Sequence, residues 1–368
     1  MIIKQISICH ISIPLIVTFR TSFGLIDKRP AIIIRVTDDE GNDGYGEVSS
    51  LYQPISEPEV FEKSWNFLID FLPQLIGLKF DLFSDMQLVL SKAPDGFSLA
   101  KTGIEGAFYC LLSNRQKISL RKLWGSEKNE VEVGESIGIK DSISIVIDEI
   151  KKHLAVGIKR IKIKIKPGHD IEIINDVRNI FPNLFLGADA NAAYSFDDVQ
   201  HLKKLNEFDL KFIEQPFAAD DHRSLFELKK LSTIPICLDE SIKDLNSCKK
   251  FVGSGLCDIV NIKPGRVGGY TKAKAIHDYC FSKCVPLFGG GRLETGIGKI
   301  TNAQFYSLPG FTLPSDLTPP NQYFAEDIID YIMPIKNGKI ELTENDGLGA
   351  SVLEEKIEKY KVGQKIFS

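Results

Sequence analysis

The chain has no excess charge of either sign, no long apolar run and no paired cysteines, and each absence removes a class of function. Among 368 residues, 45 are basic and 49 acidic, a formal charge of −4. No whole-protein positive field exists to gather nucleic acid or anionic lipid. No apolar stretch approaches the roughly 18 residues of a membrane-crossing helix. The N-terminus alternates instead of forming a cleavable signal: Ile6, Ile8 and Ile11 are interrupted by His10, and Pro14 follows. A soluble, cytoplasmic protein is expected, with neither nucleic acid nor membrane as partner. The cysteines (Cys9, Cys110, Cys237, Cys248, Cys257, Cys280, Cys284) are odd in number, scattered and without a C-x-x-C pair. That argues against a disulfide framework or zinc ribbon and for reduced core thiols. Low-complexity segments and long linkers are also missing, and the length predicts about two folding units.

What is present changes texture once along the chain. Residues 1–50 read as a small antiparallel meander: alternation from about Ile2 to Ile13, a run from Ala31 to Thr37, a turn over Asp38 to Gly44, and a run from Tyr45 to Val48. From about Glu57 to Arg121 the apolar residues take helical spacing, as in Phe61, Trp65, Leu68 and Leu72. After Val131, short β-rich runs are each followed by roughly ten to fifteen residues of amphipathic helical pattern, the mark of βαβ units. Strands are predicted at Val133–Gly138, Arg160–Ile165, Leu184–Ala188, Lys211–Ile213, Ile236–Leu238, Ile259–Ile262, Val285–Phe288 and Phe311–Leu313. A charged residue closes five successive strands, Lys164, Asp189, Glu214, Asp239 and Lys263, at spacings of 25, 25, 25 and 24. Such a repeat predicts an α/β fold of the (β/α)8 barrel type, with its active site where the strand C-termini converge. An open doubly wound sheet would not bring five consecutive strand ends around one centre. The division expected is an α+β domain over 1–130, a barrel over 131–319, and a tail, 320–368, that packs back on the first domain.

In Arg160 to Lys166 the alternation sets lysines on one face and isoleucines on the other. An exposed edge strand guarded by lysine is one explanation. In a closed barrel the isoleucines would face the helices and the lysines the interior, where repulsion and desolvation would lower the pKa of Lys162 or Lys164 toward that of a base. Asp189, Glu214 and Asp239 could each be a helix N-cap or a surface charge. Converging together, they call for a cation, and an all-oxygen set without His or Cys favours Mg²⁺ over zinc. Asn191 and Glu240 could support them from behind. Lys263 would face Lys164 across the barrel, and two opposed bases suit removal of a proton α to a carboxylate. The glycine-rich turn after Lys263 has no Walker pattern, so a phosphate cradle is poorly supported. His277, Cys280 and Cys284 share a helical face and read as packing against the barrel in preference to a soft-metal site. Gly289 to Gly291 would let backbone approach a ligand or form a flexible turn, and Arg292 would grip a substrate carboxylate or sit in a surface ion pair.

With these residues in place, the chain resembles the enolase superfamily, muconate-lactonizing subgroup, in the branch that holds o-succinylbenzoate synthases and N-succinylamino acid racemases. Matching stretches are Phe19-Arg20-Thr21-Ser22-Phe23-Gly24, Lys162-Ile163-Lys164, Asp189-Ala190-Asn191, Glu214-Gln215-Pro216, Asp239-Glu240-Ser241, Lys263 to Gly269, Glu294-Thr295-Gly296 and Phe311 to Pro314. The ordered set spans nearly the whole chain. The resemblance implies a modified (β/α)7β barrel under a capping domain formed by 1–130 and the tail. It implies Mg²⁺, or Mn²⁺, on Asp189, Glu214 and Asp239, Lys164 and Lys263 as acid and base, and Lys162 beside the substrate carboxylate. Expected substrate contacts are Phe19, Ser22, Tyr52, Asn191, Gly291, Arg292 and Glu294. Loops around Phe19 to Gly24 and Tyr52 to Glu57 would close over the substrate.

The implied activity is a Mg²⁺-dependent lyase, o-succinylbenzoate synthase, dehydrating a cyclohexadiene carboxylate in menaquinone synthesis. N-succinylamino acid racemisation is the alternative, and Arg266 is the residue expected where that ability occurs. Implied partners are a small-molecule carboxylate substrate and further copies of the chain. Arg292 departs from the apolar residue, often Met, usual in relatives, and pointing inward it would add a charge beside the substrate. A dipeptide epimerase lacks support because the seventh strand end has no paired aspartates. A muconate cycloisomerase, a non-catalytic barrel and a Schiff-base aldolase complete the alternatives; the carboxylate triad would serve no purpose in the last.

Overall fold

The computed structural model describes residues 1–21, 24–54, 57–80 and 83–368, without the side chains of 17–21, 24–26 and 83. Strands β1 (Ile3–Thr21), β2 (Gly24–Asp38) and β3 (Asp43–Val48) form the expected antiparallel meander, β1 and β2 running longer than their alternation indicates. Alternation buries both faces of this sheet. Ile6, Ile8, Ile32 and Ile34 pack with Phe61, Leu68, Ala107 and Phe108 from the helices Phe61–Phe71 and Ser98–Gln116. On the opposite face Cys9, Ile11, Ile13, Ala31 and Ile33 join the core that continues into the barrel. Gly44 and Gly46 let the second helix lie directly on β3, since a methyl group at either would collide with the helix backbone at Ala107 or Gly103.

The parallel strands are β4 (Glu130–Ile137), β5 (Arg160–Lys164), β6 (Phe185–Asp189), β7 (Phe212–Glu214), β8 (Ile236–Leu238), β9 (Ile259–Ile262), β10 (Leu287–Gly289) and β11 (Ser315–Asp316). From β4 to β10 each pairs with the next, and β11 returns to β4. Between β10 and β11 no ladder forms. The interval is spanned by N–H groups of Thr312 and Leu313 donating to the Leu287 carbonyl at 3.2 and 3.0 Å, and by Gly289 N–H donating to Ser315 Oγ at 2.9 Å. The last strand, predicted at Phe311–Leu313, therefore lies further on. Phe311 makes only an isolated bridge to Leu287. Pro314 has no N–H for a ladder and its carbonyl accepts from Arg160, so pairing resumes after it.

Helical segments separate each parallel strand from the next between β4 and β11, giving seven β/α units and a final strand, after which the chain enters the tail through the short turn Pro320–Gln322. Three of the helices start on aspartate caps, Asp170, Asp221 and Asp244. Strand β5 lies between β4 and β6, so the edge-strand reading of its lysines is replaced by the interior one. Ile161, Ile163, Leu186 and Ala188 face the helices, while Phe212, Cys237, Ile259 and Phe288 form a separate apolar floor. In the tail, β12 (Ile335–Lys336) pairs with β13 (Lys339–Glu341), β13 pairs with β4, and β14 (Lys361–Phe367) pairs with β1. The tail thus serves the barrel as well as the N-terminal sheet. No described helix is long and apolar enough to cross a membrane.

Candidate active site

Above the apolar floor the strand ends carry a layer of charge. Register sets Lys164 opposite Asp189 and Asp189 opposite Glu214 on neighbouring strands. Lys162 Nζ lies 2.7 Å from Glu214 Oε2, 3.1 Å from Asp316 Oδ2 and 3.5 Å from Asp189 Oδ2. Lys164, one step nearer the mouth, donates to Asp189 Oδ2 at 3.2 Å and to Asn191 Oδ1. Lys263 Nζ donates to Asp239 Oδ2 at 2.7 Å, and Arg266 donates to the other oxygen of Asp239. Asn261 Nδ2 donates to Glu214 Oε1 at 2.8 Å, and Asn191 Nδ2 to Glu240 Oε1 at 3.2 Å.

The three strand-end carboxylates are not helix caps; other aspartates fill that role. A buried glutamine holds the strand ends together. Gln215 Oε1 accepts the N–H groups of Asp239 and Ser241, both at 3.1 Å. Its Nε2 donates to Phe217 O and Ser241 Oγ, both at 2.8 Å, and its own carbonyl accepts from Ala192 N–H. The backbone at Gln215 is left-handed, φ +39°, as it is at Asn191 and Ala192, φ +42° and +61°. Side chains at such positions cost energy that surrounding bonds must offset, and they gather at functional sites.

Charge at the site is set by depth. Burial alone would depress the Lys162 ammonium, but Asp316, Glu214 and Asp189 outweigh it and hold it well above the usual lysine range. The expectation that mutual repulsion lowers a lysine fails at Lys162, because three carboxylates surround it. Burial, reinforced by Asp189 and Asp239, outweighs Lys162 and pushes Glu214 up to about 7. Asp239 moves the other way: burial opposes it, yet Arg266 and Lys263 draw it down to about 2. Asp316 is likewise low, burial being outweighed by Arg160 and Lys162.

Other predicted residues have varied placements. Arg292 does not reach into open solvent: its Nε donates to Ser49 Oγ at 3.1 Å and its Nη1 lies 3.4 Å from Glu57 Oε1. Glu294 is buried, with its carboxylate on Lys299 Nζ at 3.0 Å, Asn302 Nδ2 at 3.1 Å and Arg292 N–H at 3.1 Å. Tyr52 is 54% exposed, its hydroxyl 2.9 Å from His10 Nε2. The glycine run makes room for protein atoms: side chains at 289, 290 and 291 would strike Tyr306, Lys263 and Asp316 respectively. Gly269, φ +127°, clears space for Glu105 from the N-terminal domain, so the glycine-rich turn after Lys263 serves packing. Ser22 lies outside the described residues, and of Phe19 only the backbone in β1 is described. His277 accepts Gly310 N–H at 2.8 Å, and all cysteines are free, Cys284 alone being exposed. Asp316, Ser49 and Gln215 join this network without having been singled out in the sequence, where Glu57 entered only as the end of a closing loop. The signal for Asp316 was available, since it too is a charged residue closing a strand.

Among the described residues no group of three or more His, Cys, Asp or Glu side chains is already gathered as a metal cage; each strand-end carboxylate is turned toward a lysine. The donor set nonetheless fits a hard divalent cation. Asp189, Glu214 and Asp239 are buried on adjacent strand ends, and beside them Glu240 Oε2 and Asn261 Oδ1 are buried oxygens with no hydrogen-bond partner.

Comparison with known proteins identifies the family. Residues 4–125 match the mandelate racemase / muconate lactonizing enzyme N-terminal domain, and residues 146–356 match the enolase C-terminal domain-like family. The o-succinylbenzoate synthase of Geobacillus kaustophilus is 38% identical, over 99% of this chain and 97% of its own length. The N-succinylamino acid racemase of Thermus thermophilus is 35% identical, covering 97% of each. The crystal structure of an enolase superfamily member from Listeria innocua Clip11262 superposes with a TM-score of 0.95 at 31% identity, over 100% of this chain and 99% of the other. The chain therefore belongs to the enolase superfamily, in the mandelate racemase / muconate lactonizing enzyme family.

Proposed function

We propose that the protein is a Mg²⁺-dependent o-succinylbenzoate synthase, dehydrating a cyclohexadiene carboxylate that bears a succinyl group. The observation that carries the reading is the pairing of a strand-end lysine with a buried carboxylate on each side of the barrel, Lys164 with Asp189 and Lys263 with Asp239. Asp189, Glu214 and Asp239 would hold Mg²⁺, which when bound supplies positive charge for the substrate carboxylate. Lys164, with its side chain 38% exposed at the mouth, takes the proton α to that carboxylate. The same lysine returns the proton to the departing hydroxyl, so one water leaves and the ring becomes aromatic. Lys162, 3% exposed and surrounded by carboxylates, stays protonated and contributes charge. Arg292 is engaged by Ser49 and Glu57, so it adds no free cation to reject these substrates.

N-succinylamino acid racemisation is the second reading, supported by Lys263 being available for the opposite face: one lysine removes the α-proton and the other delivers one. Purified protein with Mg²⁺ is expected to consume the cyclohexadiene substrate, followed by its ultraviolet absorbance, with N-succinyl amino acids run in parallel by polarimetry. Racemisation without dehydration would move the assignment to the racemase, and silence in both would overturn the reading.

A further inference from the structure

The N-terminal domain meets the barrel at a charged junction that the steps above do not use. Glu57 Oε1 receives two barrel guanidinium groups, Arg266 Nε at 2.8 Å and Arg292 Nη1 at 3.4 Å. All three side chains are largely covered, at 14%, 5% and 10% exposure for Glu57, Arg266 and Arg292. The arginines come from different strand ends, after β9 and after β10. The stem of Arg292 passes over Gly265, in the turn that follows Lys263. Arg266 continues to Asp239, and Asp239 to Lys263. Contacts thus run without a gap from Arg292 through Glu57, Arg266 and Asp239 to Lys263. Lys164, in contrast, donates to the barrel residues Asp189 and Asn191.

We propose that Glu57 is a positioning residue. It holds the N-terminal segment around Ser49 on the barrel and, by fixing Arg266, directs Asp239 toward Lys263, so that it governs the Lys263 face of the site. The proposal rests on the reading that Lys164 and Lys263 each serve one face of an α-carbon. The physical reason is charge balance in a poorly solvated place. With Glu57 made neutral, two guanidinium groups face each other without the anion between them. Arg266, whose Nη2 already lacks a partner, must turn more fully to Asp239 and compete there with Lys263. Removing Arg292 instead leaves the Glu57 to Arg266 pair intact, so the segment loosens while Asp239 remains available to Lys263.

The test uses the full-length protein and the variants Glu57→Gln and Arg292→Met. Amide hydrogen exchange of residues 49–54, read by mass spectrometry without substrate, is expected to quicken in both. Exchange of the α-proton in D₂O with Mg²⁺ is then followed for each enantiomer of an N-succinyl amino acid, the faces being assigned with Lys164→Ala and Lys263→Ala. The ratio of Lys263-face to Lys164-face exchange is expected to fall about tenfold in Glu57→Gln, the usual order for loss of a residue supporting a site from behind, and to fall much less in Arg292→Met. An unchanged ratio in Glu57→Gln, or equal falls in both variants, overturns the proposal, and so does unchanged amide exchange in both. If wild-type protein exchanges neither enantiomer, the two-face reading fails by itself. Amide exchange then decides whether Glu57 holds the segment, quickening supporting it and no change ending it.

Discussion

Lys162 and Lys164 lie two residues apart along β5, and that spacing separates a fixed charge from the lysine proposed as the base. Alternation sends both inward, but only Lys164 stands at the mouth, while Lys162 lies beneath it against Glu214 and Asp316. Lys164→Ala is expected to lower turnover by a factor of roughly 10² to 10⁴, the usual worth of a general base, with an unchanged circular dichroism spectrum. Asp239→Ala is expected to abolish turnover as well, since it removes a carboxylate and the partner of both Lys263 and Arg266. Retained activity in either purified variant would sink these roles. The lysines and strand-end acids were legible because each is set by a local period and a repeat of about one β/α unit. The direction of Arg292 was not, because its partners Ser49 and Glu57 lie more than 230 positions away.

At the scale of the element, Gln215 supplements strand ladders that are short: β7 and β8 have three residues each. Replacing Gln215 by Leu would leave the buried N–H groups of Asp239 and Ser241 without their acceptor, at about 1–3 kcal/mol for each orphaned group. A urea melt is expected to show a loss of that order, and calorimetric titration with Mg²⁺ a weakening of about tenfold or more. Unchanged Mg²⁺ affinity would mean that Gln215 serves stability alone. Nothing in the Glu214-Gln215-Pro216 stretch announces this role, because the left-handed backbone and the bonds to β8 exist only once the strands are adjacent. The last strand was misplaced for a related reason. Phe311 to Leu313 has the right composition for a strand, but Pro314 interrupts the pairing and moves the ladder to Ser315 and Asp316.

Across the whole molecule, carboxylates of the N-terminal domain sit on the N-termini of barrel helices. Glu47 accepts the N–H groups of Thr295 and Gly298, at the start of the helix Gly296–Phe305. Glu105 accepts from Thr271 N–H at 3.0 Å, at the start of Tyr270–Ser282. Unpaired N–H groups and the helix dipole make these natural anchor points for an acid. Burial pushes Glu105 from 4.5 up to about 7, its hydrogen bonds from Thr271 offsetting only part of that. An acid whose folded pKa is raised binds more protons folded than unfolded between those values. Stability must therefore fall as pH rises from about 4.5 to 7, by on the order of 3 kcal/mol from this group, and level off above. Glu105→Gln keeps an acceptor for Thr271 and removes the titration. Unfolding free energies measured across that window are expected to decline more steeply in wild type than in the variant, and parallel curves would contradict the assignment.

The amino-acid sequence by itself determined the β/α alternation, the barrel class, and the five charged strand ends, because these rest on local periodicity and on a repeat short enough to read by eye. The tertiary structure alone decided who meets whom. Lys162 reaches Asp316 across a sequence separation of 154, and Arg266 reaches Glu57 across 209. Such contacts exist only when the final strand returns to the first and the N-terminal sheet settles over the mouth. A side chain's neighbours there follow from ring closure and domain docking, which no local pattern encodes.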